Sequence, residues 1–467
     1  MEEKKLGLGS VVSISVGLVI ATSCLVSLGE GAGTLGVVFI FAMIIACLLN
    51  MTTVTSLSEL NALMPDTTGG LAQYTLAGLG PFPTLISMVG GYLICNLLSC
   101  GVEASIFSYA MAKTIALPIP SLGYAVIMTV IVMIANLFGV DMFAKVQDLV
   151  AYLLIGSLVV MGLIGMFKLG TGTVIEQPLY MSTDWHEIVP MCAVAFWLFI
   201  GAEYAIPCAK DIKNARRNVP MGMIIGLIVI CVMQSILVFG FHNYTLWGEL
   251  ADSAAPHLLY GENLLGYPGK LWMSLVAALA VISTQNSTVN GLSSICQGMA
   301  KMNMMPQFFA KTNKYGVPYI GVIFTSICIG LFAFASDSSS DMIEFLILVG
   351  SVFWMVSYVL AHIDVLVLRR RLPKAPRTFR SPGGVLLPII GIVGTVYMIL
   401  NISTDPVERM QIWMLTGIVF LILAVYSFFW IKLKMRMPVF KSVPLEQVMA
   451  MEDERYYYIR KERGIWK

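Results

Sequence analysis

Long apolar segments recur along almost the whole chain, and they limit its possible folds more than any other feature. Of the 467 residues, 58% are hydrophobic and 12% are charged, whereas a typical soluble protein has a charged fraction of about 25%. An apolar run of about 20 residues can cross the hydrocarbon core of a bilayer as a helix. The composition therefore indicates an all-α protein that crosses a membrane many times.

Twelve segments meet this length requirement, and we predict that each is a membrane-spanning helix. The first two are separated at GEGAGTLG, where four glycines interrupt the apolar run. The predicted spans, numbered helix 1 to helix 12 in chain order, are residues 10–35, 36–63, 82–112, 121–138, 142–167, 188–208, 219–241, 271–298, 318–335, 342–368, 385–402 and 410–433.

The distribution of charge predicts the orientation of these helices. If the N-terminus is cytoplasmic, all but four of the 29 Lys and Arg residues fall on the cytoplasmic side, as the positive-inside rule requires. We therefore expect a multi-pass protein of the cytoplasmic membrane with both termini cytoplasmic. The basic loop at 210–217 lies on that same side, so we interpret it as an orientation signal that contacts lipid headgroups, not nucleic acid.

Two predicted helices contain residues that interrupt an apolar helix. Helix 1 has Thr22 and Ser23 at mid-depth, and helix 6 has Gly201, Glu203 and Pro207 within seven residues. A broken membrane helix frees backbone groups that must line a cavity, and its second half presents N–H groups that suit an anion. Thr22 and Ser23 are residue types that cap such a second half. The alternative is an ordinary close helix contact, in which small residues are common.

The chain resembles the amino acid–polyamine–organocation family of secondary transporters. Five stretches carry this resemblance: SELNALMPDTTGGLAQY at 58–74, NLFGV with AKVQ at 136–147, FIGAE with KDIKNARRNVP at 199–220, MAKMNMMPQFFAKTNKYGVP at 299–318, and SYVLAHIDVLVLRRR at 357–371. WLFIGAE at 197–203 and Asn96 are most similar to the basic amino acid/polyamine antiporter branch, which includes the arginine/agmatine antiporters.

The resemblance implies a LeuT-type fold with two inverted repeats of five helices, in which helices 1 and 6 are discontinuous. The expected parts are a cytoplasmic segment at 1–9, a transport core at 10–368 with repeats at about 10–167 and 188–368, a cytoplasmic loop at 369–384, helices 11 and 12 at 385–433, and a cytoplasmic tail at 434–467. We expect the tail either to lie on the cytoplasmic leaflet or to close the pore from inside.

The resemblance also implies a set of substrate-binding residues around the two interrupted helices. Trp197 and Glu203 are further expected to act in gating or proton coupling. The set is Ala21, Thr22, Ser23, Cys24, Asn96, Trp197, Phe199, Ile200, Gly201, Glu203 and Thr288.

Three departures from the family pattern limit what it implies. The usual G-S-G-I-F of helix 1 is replaced by residues 21–25, ATSCL, so binding of a substrate carboxylate there is not assured. Thr288 stands where arginine/agmatine exchangers place an aromatic residue, so arginine is not inferred as the substrate. Leu154 stands near the lysine that some proton-coupled members keep in helix 5.

The glutamates of the predicted core have different expected roles. Glu203 faces a wet cavity and meets a substrate ammonium or a transported proton, or else it only holds the gate together by hydrogen bonds. Glu30 is interpreted as an extracellular turn residue, and Glu103 as lying too far toward the outer end of helix 3 to be central. In polar helix 8, Thr284 and Ser287 are candidates for a sodium-like site, and the alternative is that this helix lines the cavity.

These observations predict a secondary active transporter that moves an amino acid or related amine by alternating access, with exchange as the preferred mode. A proton-coupled symporter and a non-transporting substrate sensor on the same fold are the alternatives. No enzymatic activity and no cofactor are expected, since the four histidines are scattered and no catalytic cluster appears. The expected partners are a small-molecule substrate and membrane lipids, and the chain is a monomer or a homodimer.

Overall fold

Each predicted apolar segment corresponds to a helix, or to two or three consecutive helical pieces, in the computed structural model, which describes residues 5–64, 70–114, 118–253, 255–335, 340–403 and 405–451. The α-helices are α1 Leu8–Val19, α2 Thr22–Leu35, α3 Phe39–Leu63, α4 Leu71–Gly78, α5 Pro81–Leu85, α6 Cys95–Thr114, α7 Ser121–Leu137, α8 Val140–Met166, α9 Trp185–Trp197, α10 Ala215–Tyr244, α11 Trp247–Ala251, α12 Pro256–Leu265, α13 Tyr267–Lys301, α14 Tyr319–Ala335, α15 Ser340–Arg371, α16 Leu386–Leu400, α17 Pro406–Trp430 and α18 Leu445–Ala450.

Short helical pieces of other types extend some of these elements. A π-helical segment, Ile86–Ile94, joins α5 to α6, and a 3-10 helix, Ala202–Asp211, follows α9. A second 3-10 helix spans Gln307–Ala310, and a π-helical segment at Ile431–Met435 extends α17.

The helices differ in how well they meet the requirements for crossing a membrane. Within the described residues, seven are long and apolar enough, and the count rises to eight if the bent pair α1 and α2 forms one span. The apolar helices α7, α14 and α16 are shorter. The fold is therefore a multi-pass helical bundle, whereas the predicted count of twelve spans stays a prediction.

Two short helices, α11 and α12, follow α10 in the chain. They pack closely on α2: a Cβ added to Gly29 would lie 2.3 Å from Pro256, and one added to Gly33 would lie 2.5 Å from the backbone nitrogen of Ala251. Glycine at these two positions thus allows α11 and α12 to approach α2 closely.

A buried ion-pair cluster ties α3 to the end of α15 and to the loop after it. Glu59 is 2% exposed, and it accepts hydrogen bonds from Arg369 Nε at 2.8 Å and from the backbone N–H of Ser381 at 2.9 Å. Arg377 Nε lies 3.3 Å from the same carboxylate. Glu59 belongs to the motif at 58–74. The structure therefore gives this residue of the motif a role in helix packing. Residues 65–69 of the motif lie outside the described residues.

Both ends of the described chain pack against the helical bundle. The backbone of Leu6 exchanges hydrogen bonds with Asp211 and Lys213, at 2.8 and 2.9 Å. Toward the other end, Val443 N–H donates to Leu76 at 3.1 Å, so the described part of the tail packs on α4. Residues 452–467, on which the alternatives of leaflet binding and pore closure depend, lie outside the described residues.

We expect Glu59→Gln to destabilise the fold, because it leaves the partly buried Arg369 and the buried side chain of Arg377 without a counter-charge. Removing one partner of a buried ion pair costs about 3–5 kcal/mol. Glu262→Gln is the matched control: Glu262 pairs with Lys270 at 2.8 Å on the surface, where such a pair contributes about 1 kcal/mol or less. Thermal unfolding of the purified protein in detergent measures both effects, and equal Tm values for the two variants would contradict this assignment.

A second prediction concerns His257 in α12, whose ring nitrogens have no hydrogen-bond partner among the described residues. Burial lowers the pKa of His257 to about 4, below the usual ~6.5. Between these values the unfolded chain binds a proton that the folded chain does not, so stability falls as the pH drops from about 6.5 to about 4. In His257→Leu, the Tm measured across this range should depend less on pH; an unchanged slope would place the acid sensitivity elsewhere.

Candidate functional site

The first membrane segment is broken between α1 and α2, as the polar residues at mid-depth predicted. The two helices are bent by 64° relative to each other, and Ala21 is extended, with φ −95° and ψ 164°. Ala21 is the N-cap of α2 and makes no side-chain capping bond. The suggestion that Thr22 or Ser23 caps α2 is therefore wrong, because both residues are already inside the helix.

The carboxylate that binds the free N–H groups of α2 comes from α6. Glu103 Oε2 accepts from the backbone N–H of Thr22 at 2.9 Å, and Glu103 Oε1 accepts from that of Ser23 at 2.8 Å. Negative charge is favoured at a helix N-terminus, where the backbone carries partial positive charge. The expectation that Glu103 lies too far out to be central is wrong, since its side chain reaches the break.

The second interruption is also present. The α-helix α9 ends at Trp197, and the chain continues as the 3-10 helix Ala202–Asp211 after a turn in which Gly201 has φ +113°. A side chain is strained at that φ, and a Cβ on Gly201 would lie 2.7 Å from Leu18 Cδ2. Glycine at this position therefore allows the turn to pack directly against α1.

Glu203 follows this turn and is held by α15. It is 1% exposed; its carboxylate accepts from Trp354 Nε1 at 2.7 Å and from the Tyr358 hydroxyl at 2.8 Å. The same hydroxyl lies 3.3 Å from the backbone nitrogen of Gly201, which donates to it. Each carboxylate oxygen of Glu203 thus has a donor, and the turn and α15 are joined through Tyr358.

A small cavity lies between the two breaks. Two tryptophans stand on its wall, with the rings of Trp197 and Trp354 6.4 Å apart and nearly perpendicular. Trp197 Nε1 also donates to Ser23 Oγ at 3.1 Å, which links α9 to α2. The lining residues are Leu18, Val19, Ala21, Cys24, Asn96, Ser99, Cys100, Glu103, Trp197, Ile200, Thr284 and Trp354.

The structure brings six of the predicted site residues to the wall of this cavity and leaves the others behind it. Ala21, Cys24, Asn96, Trp197, Ile200 and Thr284 line it, whereas Thr22, Ser23, Phe199, Gly201, Glu203, Thr288 and Ser287 do not. Several of the residues behind the wall make hydrogen bonds to lining residues. Thr288 Oγ1, for example, accepts from Cys100 Sγ at 3.2 Å.

Sequence reasoning missed Trp354, Ser99 and Cys100 and dismissed Glu103. The one available signal was that Glu103 is a carboxylate within an apolar helix, which is costly unless the group has a partner or a function. Trp354 carries no such signal, since an aromatic residue in an apolar helix is ordinary. Its role depends on the packing of α15 against the turn at Gly201.

Behind the cavity, a buried polar network joins α1, α8 and α13. Gln147 Nε2 donates to Ser283 Oγ at 2.7 Å and to the backbone oxygen of Ser13 at 3.2 Å, while Asn286 Nδ2 donates to Gln147 Oε1 at 3.1 Å. The hydrogen bonds of this network account for polar residues in predicted helix 8, and they do not require a bound ion. In the candidate sodium-like pair, the Thr284 hydroxyl donates to the carbonyl of Gly17 at 3.4 Å.

A family model described as "Amino acid permease" matches residues 6–431, most of the chain. The chain belongs to the amino acid permease family. The permease is therefore a secondary amino acid transporter and not an enzyme, and its membership agrees with the broken helices and the cavity between them. The narrower placement in the basic amino acid/polyamine antiporter branch is not part of this finding.

Two relatives from Bacillus subtilis (strain 168) resemble the permease over most of its length. One is the branched-chain amino acid permease BcaP, 22% identical over 89% of this chain and 92% of the relative. The other is the glutamate/serine transporter AimA, 23% identical over 90% of this chain and 80% of the relative.

Solved transporter structures resemble the permease in fold. MHP1, a nucleobase-cation-symport-1 family transporter, aligns with a TM-score of 0.57 at 13% identity over 96% of this chain and 97% of that chain. The Eremococcus coleocola manganese transporter aligns with a TM-score of 0.57 at 12% identity over 91% and 94%. At these identities the similarity concerns the fold alone, and it confirms the LeuT-type fold predicted from the motifs.

Gly17→Ala tests whether the network behind the cavity supports the break. A Cβ on Gly17 would lie 1.6 Å from Gln147 Nε2 and 2.6 Å from Ser283 Oγ, so the variant must separate these groups and should lower the Tm. Gly156→Ala in α8 is the control, because its Cβ meets nothing within 4 Å and alanine favours helix by about 0.5–1 kcal/mol. A Gly17→Ala protein as stable as Gly156→Ala would show that the network readily adapts.

Proposed function

We propose that this permease exchanges amino acids, or an amino acid and a related amine, across the cytoplasmic membrane. In this proposal the chain has twelve spans with both termini cytoplasmic, and the substrate binds in the cavity between the two breaks. The supporting observation is that residues from both interrupted segments, Ala21 and Cys24 on one side and Trp197 and Ile200 on the other, line a single cavity.

The breaks give this cavity the parts that alternating access needs. Half-helices that meet at a non-helical residue move relative to one another by changing a few backbone angles, and broken helices at mid-membrane are typical of transporter binding sites. In the described state, the Trp197–Ser23 hydrogen bond holds α9 against α2 next to the cavity. We assign Trp197 to the gate on this basis.

Exchange is favoured over free movement of the empty carrier by the charge of the site. Glu103 and Glu203 are each at most 2% exposed, and neither makes an ion pair with Lys or Arg within the described parts of the chain. An uncompensated charge within the membrane is costly. A bound substrate ammonium supplies the counter-charge, so the loaded carrier reorients more readily than the empty one.

The likeness of WLFIGAE and Asn96 to the basic amino acid/polyamine antiporters supports the same mode. The second candidate is proton-coupled symport, which Glu203 favours because a proton on this carboxylate would compensate its charge as a substrate cation does. The two candidates differ in what the empty carrier can do.

The test uses proteoliposomes containing the purified permease, empty or preloaded with unlabelled amino acids and their decarboxylated amines. We expect uptake of labelled amino acid only into preloaded vesicles. In Glu203→Gln the empty carrier has lost one uncompensated charge, so uptake should depend less on preloading. Glu262→Gln, a surface carboxylate, should behave as the unchanged protein.

If an imposed proton gradient drives uptake into empty vesicles, the exchange proposal is wrong and the permease is a proton-coupled symporter. Binding without flux for every solute tested would exclude transport and favour the sensor. A Glu203→Gln protein with the same dependence on preloading as the unchanged permease would remove this glutamate from the coupling.

A further inference from the structure

We infer that Glu103 selects the charge of the substrate: it occupies the anion-binding amides at the first break, so the cavity takes a substrate with net positive charge through its ammonium group. This inference rests on the proposed function and specifies the substrate class of the same cavity. It reverses the polarity expected of a bare helix break, which suits an anion.

The first step is that the amide pair at the first break, which would suit a substrate carboxylate, is already occupied. The N–H groups of Thr22 and Ser23 are both donated to Glu103, at 2.9 and 2.8 Å. Hydrogen bonds to an ionised acceptor are about twice as strong as neutral ones. A substrate carboxylate would have to displace this carboxylate and leave it beside itself as an unpaired like charge.

The second step is that the described wall of the cavity includes one carboxylate, has a second carboxylate behind it, and includes no basic residue. Glu103 is one of the lining residues. Glu203 lies behind the wall and accepts a hydrogen bond from Trp354, which is also a lining residue. None of the twelve described lining residues is Lys, Arg or His. A zwitterionic substrate would leave this negative charge uncompensated, whereas a substrate with one extra positive charge would balance one carboxylate.

The third step is that the remaining wall also suits a cation. The indole rings of Trp197 and Trp354 stand on the wall at right angles to each other. A ring face attracts an ammonium group, and tryptophan is the best residue for this interaction. Asn96 Nδ2 already donates to the carbonyl of Tyr92 at 2.7 Å, which leaves the acceptor oxygen of its amide for the ligand.

Binding of three small molecules to the full-length permease in detergent tests this inference directly. L-lysine and L-norleucine share a straight side chain of similar length, but only lysine carries the ε-ammonium; cadaverine is lysine without its carboxylate. We expect lysine to bind at least about tenfold more tightly than norleucine, the difference that one charged hydrogen bond makes. Cadaverine should bind comparably to lysine.

Variants at position 103 assign the selectivity to the residue. Glu103→Gln keeps the size of the side chain and removes its charge, so lysine and cadaverine should lose about tenfold in affinity while norleucine does not. Glu103→Asp keeps the charge and should retain the preference for lysine. Glu103→Ala frees the two amides and should increase the affinity for norleucine, a gain that a folding defect does not produce.

The outcomes separate this inference from the proposed function. Norleucine binding as tightly as lysine in the unchanged permease, or an equal loss for both in Glu103→Gln, would overturn the charge selection while amino acid exchange stands. Loss of cadaverine binding alone would show that the substrate carboxylate is read after all, and would also overturn it. Lysine selectivity without flux of any solute in the vesicle assay would instead refute the transport proposal.

Discussion

The interaction on which the site depends is the pair of hydrogen bonds from Thr22 and Ser23 to Glu103. Within a membrane a free backbone N–H costs several kcal/mol, so a helix cannot be broken there unless something binds the groups that the break exposes. A substrate can do this only while it is bound. A side chain does it permanently, and Glu103 satisfies both groups from a neighbouring helix. The break therefore exists without a ligand, and the surrounding helices can pack around a fixed, non-helical point.

The rest of the packing keeps the two breaks at the same place. On one side, Gln147 and Asn286 join α8 and α13 to α1 through hydrogen bonds of 2.7 to 3.2 Å. On the other, Tyr358 binds both Glu203 and the turn at Gly201. Buried polar groups cost free energy unless they are paired, and each of these pairs joins segments that are distant in the chain. The polar residues of helix 8 are thus among those that determine how the helices pack.

How far the sequence predicts this arrangement depends on the range of the interactions. Apolar segments, the break at residues 20–21 and the turn at Gly201 follow from local composition, and all three are present in the structure. The partners of Glu103 and Glu203 do not follow, because they lie 80 or more residues away in the chain. The position of Glu103 in the apolar run suggests a place too far toward the outer end of helix 3, yet its side chain reaches the break. The run is not one regular α-helix, since π-helical Ile86–Ile94 precedes α6. Residue type points to Thr22 or Ser23 as the cap of α2. In the structure the carboxylate of Glu103, from another helix, accepts the hydrogen bonds of the free N–H groups.

In the proposed exchange, a cation bound in the cavity couples the two breaks to each other through Glu103 and Glu203. Glu103 is fixed to the start of α2. Glu203, at the start of the 3-10 helix Ala202–Asp211, is fixed to α15. Each charge therefore moves with the segments to which it is bonded. When a carboxylate separates from a bound ammonium, its charge is left uncompensated within the membrane. When both carboxylates move together with the ammonium, the charges stay compensated. A cation in the cavity therefore lowers the free energy of conformations in which both half-helices remain close to it. A ligand can shift the equilibrium between two conformations only if it binds them with different affinities. In the proposed mechanism substrate charge and conformational change are one constraint, because the carboxylates proposed to recognise the ligand also hold the broken helices in place.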